Sequence, residues 1–257
     1  MRIITCNTNG IRSAASKGFF DWLAGTGADV VCIQETKAQQ SQLDAVPYFP
    51  ENYHCIYNDA EKKGFSGTAL YSRKPALSVT TSLGFDICDT EGRWLQAEFE
   101  NVTVVSLYLP SGSSGEERQA RKFEFMDALL PHLLLLKQRK TPVVICADWN
   151  ICHRELDLKN WKSNQKNSGF LPEERQWMDD LLNKHGFTDS FRELYPDAPI
   201  YTWWSNRGQA YANDVGWRLD YQLVTAPLKG KAKAAYVYKE QKFSAHAPLV
   251  MDYDYTF

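Results

Sequence analysis

The 257-residue chain is short of several things, and each shortage removes a class of protein. No apolar run approaches the ~20 residues needed to span a bilayer, and Met1-Arg2-Ile3-Ile4-Thr5-Cys6-Asn7 is too brief an apolar start for a signal peptide. A cytoplasmic protein with no membrane partner is expected. Cysteine pairs of the C-x-x-C type are also missing. The six cysteines (6, 32, 55, 88, 146 and 152) lie apart, several of them inside apolar runs such as Val30-Val31-Cys32-Ile33. They therefore read as small core residues in a reducing compartment, not as a disulfide frame or zinc site. A large excess of either charge sign is missing too, with 29 Lys and Arg against 31 Asp and Glu. The net charge is -2, so a polyanionic partner must be met by a local basic patch. Finally, no Pro/Ser-rich linker and no low-complexity stretch divides the chain, which points to one domain over residues 1–257.

What is present is alternation. Short β-rich runs are separated by longer helical patterns, as in α/β folds. Strands are expected at Arg2–Cys6, Val30–Ile33, Thr68–Ser72, Leu95–Phe99, Thr103–Leu107, Val143–Ala147, Tyr221–Val224 and Ala234–Tyr238. Many are apolar throughout, which suits strands covered on both faces. Helices are expected at Gly18–Ala24, Arg118–Lys137 and Pro172–His185, the last with Pro172 in its first turn and Gly186 as its stop. Phe123, Met126, Leu129, Leu130 and Leu133 form one apolar helix face, but Pro131 should end or kink that helix. Both halves open with a strand running into polar residues, Asn7-Thr8-Asn9 and Asp148-Trp149-Asn150, a pattern that suits two pseudo-symmetric sheets.

Polar residues recur where apolar strands end: Asn7, Gln34-Glu35, Tyr108, Asp148 with Asn150, and Asp220 before Tyr221–Val224. Each has a plain alternative. Asp148 could cap the following turn, Glu35 could be solvated beside Lys37, and Asp220 could pair with Arg218. Ligands in layered α/β folds gather at one edge of the sheets, so the recurrence favours a shared site. Glu35 and Asn7 offer hard oxygen ligands of the kind Mg²⁺ prefers. His246 has small neighbours on both sides, which lets an imidazole face a cleft; a carboxylate such as Asp220 would hold it cationic against a phosphoryl oxygen. Asp148 could orient water, Asn150 could support the water or the phosphate, and Tyr108 could donate to a phosphate oxygen. Tyr201-Thr202-Trp203-Trp204-Ser205-Asn206-Arg207 and Val215-Gly216-Trp217-Arg218 interleave aromatic and basic residues. That mix fits either a nucleic-acid groove or a core with surface arginines.

Seven blocks, in order, carry a family resemblance: Asn7-Thr8-Asn9-Gly10-Ile11-Arg12, Gln34-Glu35-Thr36-Lys37, Gly64-Phe65-Ser66-Gly67, Leu107-Tyr108-Leu109-Pro110, Asp148-Trp149-Asn150, Gly216-Trp217-Arg218-Leu219-Asp220-Tyr221 and Ser244-Ala245-His246-Ala247-Pro248. The chain resembles the exonuclease III family of apurinic/apyrimidinic endonucleases over essentially its whole length. His153–Asn160 and Asn167-Ser168-Gly169-Phe170 through Glu174-Arg175 resemble the DNA-repair branch of that fold in particular. The resemblance implies an α/β, four-layered sandwich of two mixed β-sheets flanked by helices, the DNase I-like fold. It implies Mg²⁺-dependent cleavage 5′ to abasic sites in double-stranded DNA, with Mn²⁺ as a substitute cation and no obligate protein partner. A 3′→5′ exonuclease and 3′-repair activity would accompany it. By position, Glu35 and Asn7 would serve the metal, and Tyr108, Asp148, Asn150, Asp220 and His246 would be catalytic. Asn9, Arg12, Trp203, Arg207, Trp217 and Leu219 would meet DNA, with Trp217 and Leu219 walling the pocket for a flipped abasic sugar.

Three positions depart from the family pattern: Cys6 stands in place of tryptophan, Ala147 in place of glycine, and Ala245 in place of an aspartate close to the metal. The last could weaken metal binding. It also resembles the catabolite repression control protein of pseudomonads, a relative that regulates through RNA and an RNA chaperone without nuclease activity. That regulator has substituted several catalytic positions, whereas Glu35, Tyr108, Asp148, Asn150, Asp220 and His246 all stand here, so the enzyme is the expected reading.

Overall fold

The apolar, β-branched run Val30-Val31-Cys32-Ile33 is a strand buried at every residue, and it sets the pattern for the rest. A computed structural model describes residues 1–257, the side chain of residue 45 excepted. In chain order the strands are β1 (Arg2–Asn7), β2 (Val30–Gln34), β3 (His54–Asn58), β4 (Thr68–Ser72), β5 (Ser78–Thr80), β6 (Trp94–Glu98), β7 (Thr103–Tyr108), β8 (Val143–Asp148), β9 (Thr188–Asp189), β10 (Trp203–Trp204), β11 (Gly216–Trp217), β12 (Asp220–Val224), β13 (Ala232–Val237) and β14 (Leu249–Tyr253). Two six-stranded mixed sheets result, ordered β13-β14-β1-β2-β4-β3 and β5-β6-β7-β8-β12-β9, with β10 and β11 as a separate ribbon.

The two sheets share one plan. In the first, β1 is parallel to β2 and antiparallel to β14; in the second, β8 is parallel to β7 and antiparallel to β12. The expected pseudo-symmetry of β1 and β8 is therefore present in the topology. Alternation along each strand then separates the layers. Ile3, Val30, Cys32, Leu70, Val104, Val144, Cys146 and Val224 meet between the sheets. Ile4, Cys6, Val31 and Ile33 face outward onto helices Ile11–Ser16 and Phe19–Ala24. Val105, Leu107, Ile145, Ala147 and Leu223 face outward onto helix Glu116–Lys137 and onto Met178 and Leu181. The result is four layers: helices, sheet, sheet, helices.

All eight expected strands are present, with ends displaced by at most two residues and Thr68–Ser72 matched at both ends. The pattern missed β3, β5, the two-residue strands β9, β10 and β11, and β14. The last is central yet follows Pro248 and contains Asp252, whose charge is met by Arg2 Nε at 2.7 Å. Pro131 does not end its helix, which runs from Glu116 to Lys137. Pro131 is exposed, and so is Asp127, whose carbonyl loses its partner on the solvent face, where the loss is cheap because the group stays accessible to solvent. Helix Pro172–Asp179 is shorter than expected because the chain widens into a π-type turn at Asp180–Lys184.

The seam between the sheets is not wholly apolar. Gln34 Nε2 donates to Ser106 Oγ at 3.0 Å, and Gln222 Nε2 donates to Thr5 Oγ1 and Ile3 O, each at 3.0 Å. These bonds cross from one sheet to the other and hold their register. Arg218 is buried beside the seam, with Nε on Asp157 at 2.8 Å, Nη2 on Asp189 at 2.6 Å, and its guanidinium 3.9 Å from the Tyr221 ring. It does not pair with Asp220, which leaves that acid free for the site. Replacing Arg218 with Met should take the only cation from buried Asp189 and one of the two from buried Asp157, which Arg192 also meets, and destabilise the fold by ~3–5 kcal/mol. Urea unfolding tests this, and a loss below about 1 kcal/mol would contradict the assignment.

Candidate active site

Strand parity decides which strand ends meet. Asn7 shares a face with Ile3, Tyr108 with Val104, Asp148 with Val144 and Asp220 with Val224, and each of those apolar residues lies between the sheets. The four polar ends therefore project into one gap at one edge of the sandwich. Register sharpens this, because Asp148 is directly opposite Tyr108 on one side and Asp220 on the other.

Asp148 is at the centre. Its Oδ2 accepts from Asn7 Nδ2 at 2.8 Å and its Oδ1 from the Asn150 backbone N–H at 3.0 Å. His246 Nε2 is 3.6 Å from Oδ2, and His246 Nδ1 donates to Asp220 Oδ2 at 2.8 Å. Asn7 Nδ2 also donates to Glu35 Oε1 at 3.0 Å. One amide group thus bridges the two carboxylates.

The histidine loop is tied at both ends. Ser244 Oγ donates to Asn7 O at 2.6 Å, the Trp204 N–H to Ala245 O at 3.1 Å and the Ala247 N–H to Thr202 O at 2.8 Å. Thr202 Oγ1 in turn accepts from the Leu219 and Asp220 N–H groups. Asn9, Glu35, Lys37, Ser66 and Asn150 all have positive φ, between 44° and 50°, a conformation that non-glycine residues keep only where surrounding bonds impose it.

Electrostatics follow from this crowding. Burial pushes the Asp148 carboxyl up to about 7, against the opposing His246 cation, with the Asp220 and Glu35 charges adding to the rise. Burial would lower the His246 imidazole, but the Asp220 and Asp148 carboxylates outweigh it and raise it to about 9. Burial also works upward on Glu35, yet the Lys37 ammonium, at 3.2 Å, and the Asn7 amide hold it below the ordinary range. Tyr108 is pushed well up by burial and by the Glu35 charge, so it stays a phenol. The Arg93 guanidinium lies 4.6 Å from its ring, and Arg93 Nη1 donates to Tyr108 O at 3.0 Å.

Oxygen or nitrogen atoms of Glu35, Asp148 and His246 lie within 4.8 Å of one another. The carboxylate pair at an open cleft fits a divalent cation that keeps several waters, as Mg²⁺ does. Asn7 lies beside this cluster: its Nδ2 group faces the two acids, while its Oδ1 is turned away and accepts from the Asn9 N–H at 2.8 Å. Ala245 offers no donor atom. It borders a polar hollow of about 220 Å³, shared with Thr8, Asn9, Lys17 and Lys242, which has room for a longer side chain. Cys6 and Ala147, the other two departures, face outward onto helices and do not touch the site.

The main cleft, about 960 Å³, joins Glu35, Tyr108, Asp148, Asn150 and His246 to Trp203, Arg207, Trp217 and Leu219. Trp203 and Trp217 pair across the β10–β11 ribbon with their rings edge to face, and Cys152, Leu158 and Phe170 pack behind them with Leu219. Asn9 lies in the neighbouring hollow and Arg12 on an exposed helix; neither lines the cleft. Arg93 carried no sequence signal. Lys122 did, because it falls on the buried stripe of its helix with Phe125, Met126, Leu129, Leu133 and Leu136.

The model of the Endonuclease/Exonuclease/phosphatase family matches residues 4–241. The chain is 41% identical over 251 residues to an exodeoxyribonuclease of Bacillus subtilis, covering 97% of this chain and 98% of that relative. It is 38% identical over 256 residues to the DNA repair nuclease APEX1 of Danio rerio, covering 98% and 81% respectively. A solved structure of an AP endonuclease from Archaeoglobus fulgidus superposes with a TM-score of 0.91 at 26% identity, covering 99% of this chain and all of the other.

The Asp220–His246 contact makes a direct prediction for the metal-free protein. Because a carboxylate on Nδ1 favours the cation, the His246 imidazole should titrate near 9 by NMR, and Asp220→Asn should bring its midpoint down toward that of a free histidine. An unmoved midpoint in the variant would rule out Asp220 as the cause.

Proposed function

The chain belongs to the endonuclease/exonuclease/phosphatase family, and from that membership we propose that it hydrolyses DNA phosphodiesters 5′ to abasic sites, using Mg²⁺. The observation that carries the reading is the shape of the cleft: a buried carboxylate–imidazolium cluster at one end and an apolar aromatic wall at the other. An abasic sugar has no base to stack, so it leaves the duplex at low cost and is matched by an apolar wall. Arg207 and Lys166, which both border the cleft, supply local positive charge for phosphates in a chain with a net charge of -2.

In this reading Glu35 and Asp148 would hold the cation, which supplies Lewis-acid polarisation of the phosphate when bound. Asp148, held by Asn7 and by the Asn150 N–H, orients water and takes its proton. His246, kept cationic by Asp220, donates from Nε2 to a phosphoryl oxygen, and the Tyr108 phenol donates to another. A P–O bond forms to water and the P–O3′ bond breaks, leaving a 3′-hydroxyl and a 5′-phosphate on the abasic sugar. The same chemistry at a 3′ end would give 3′→5′ exonuclease and 3′-repair activity, with the loop Ser111–Gly115 bordering the cleft. No observation favours an RNA-associated regulator.

A labelled duplex with one abasic analogue should be incised with Mg²⁺ and not with chelator. Absence of incision at every protein and metal concentration would refute the proposal. Asp148→Ala and His246→Ala should each lower kcat by about 10²–10³-fold; near-normal turnover in either would remove its assigned role. Ala245→Asp would place a carboxylate in the adjoining hollow and should lower the Mg²⁺ concentration giving half-maximal rate. An unchanged requirement would show that position 245 does not govern metal binding.

A further inference from the structure

Helix Glu116–Lys137 carries one cation on its buried stripe, and the chemistry above does not use it. The side chains of Lys122 and Glu174 have no exposure at all. Lys122 Nζ donates to Glu174 Oε1 at 2.8 Å and to the main-chain carbonyl of Asn150 at 2.7 Å. Glu174 Oε1 also accepts from Gln119 Nε2 at 2.7 Å, and its Oε2 accepts from the N–H groups of Gly169 at 2.6 Å and Leu171 at 3.3 Å. One ion pair therefore ties four segments together: the long helix, the turn after β8, the loop 166–171 and helix Pro172–Asp179.

Stability alone is a poor reason for such a pair, because apolar residues of equal volume usually serve a core as well or better. Capping the helix that Pro172 starts accounts for the Leu171 contact only; it needs neither Lys122 nor Asn150. The contacts that remain all lead to the cleft. Asn150 has φ 49°, and its N–H holds Asp148 while its carbonyl is held by Lys122. Gly169 has φ 93°, and a Cβ there would come within 3.2 Å of the Trp217 ring and 3.3 Å of Asn150 O. The loop thus lies against both the acidic end and the aromatic wall.

We propose that the Lys122–Glu174 pair is a positioning clamp, which locks the Asn150 turn against the 166–171 loop and so sets the spacing between Asp148 and the Trp217 wall. The proposal rests on the abasic-endonuclease reading. A merely structural pair would, when replaced, change stability and leave the turnover of folded molecules alone. A clamp behaves otherwise, since misplacing reacting groups by ~1 Å costs about 100-fold in rate.

The test compares the full chain with Lys122→Met/Glu174→Leu, which removes both ions but keeps the apolar volume, and with Glu174→Gln, which sets an NH₂ group among donors. Glu173→Gln, exposed and outside the cleft, is the control. The double variant leaves the Gly169 N–H and Asn150 O without these partners, so it should melt lower than the wild type yet stay folded at the assay temperature, while kcat for abasic incision falls about 100-fold and KM moves by less than about threefold. In the metal-free protein, amide exchange at Gly169 and Asn150 should accelerate. A folded double variant with kcat within about threefold of wild type, or with unchanged protection of these amides, overturns the clamp. If the double variant does not fold, Glu174→Gln is held to the same two criteria. If the wild type itself fails to incise, the functional reading falls, and amide protection alone decides the clamp.

Discussion

A carboxylate with almost no access to water must be surrounded by donors, and the rest of this site follows from meeting that demand at Asp148. Asn7 comes from the other sheet, the Asn150 N–H from the strand's own continuation and His246 from a loop near the C-terminal end of the chain. Each donor needs its own support. Asp220 orients the imidazole, Ser244 ties the histidine loop to Asn7, and Lys122 holds the carbonyl of Asn150. Satisfying one buried acid therefore joins both sheets, the histidine loop and the long helix.

The same demand explains why several residues keep a left-handed backbone. Asn9, Glu35, Lys37 and Asn150 turn the chain sharply just past a strand end. Such conformations cost ~1–3 kcal/mol each when nothing compels them. Here hydrogen bonds do compel them: the Gly10 N–H donates to Glu35 O at 2.8 Å, the Lys37 N–H to Ser66 O at 2.9 Å, and Lys37 Nζ to Asn9 Oδ1 at 2.5 Å. Five of the six non-glycine residues with positive φ lie on the turns beside the cleft, Asp214 being the other, and the sheets behind them are regular apart from a register shift in β13 between Ala232 and Ala234. That division places adjustable geometry on a rigid base, which suits a site whose charges must be fixed before substrate arrives.

Much of this was legible in the chain. Apolar strands showed themselves because both faces are covered, and their polar ends stood out against them: Asn7, Glu35, Tyr108, Asp148 and Asp220 were all marked in this way. Strand β14 escaped because Asp252 breaks its apolar run, and only the spatial neighbour Arg2 makes that acid acceptable. Pro131 misled because a proline is tolerated where the freed carbonyl faces water, and which helix face is wet depends on packing. The basic–aromatic stretches held two answers at once: Trp204 is core and Trp203 lines the cleft, although the two are adjacent.

What the sequence determined by itself was the inventory: two strand-led halves, a complete set of acids, amides, histidine and tyrosine at strand ends, and an alanine where the family resemblance implies an acid. Period-two alternation even decided in advance that Asn7, Tyr108, Asp148 and Asp220 fall on the same side of their strands as the inward apolar residues. Tertiary structure alone decided the pairing. Whether Asp220 meets Arg218 or His246, whether Asn7 turns its oxygen or its N–H groups to the acids, and whether Lys122 reaches Asn150 all depend on which segments pack together. Those are long-range contacts between residues distant in the chain, and local pattern carries no record of them.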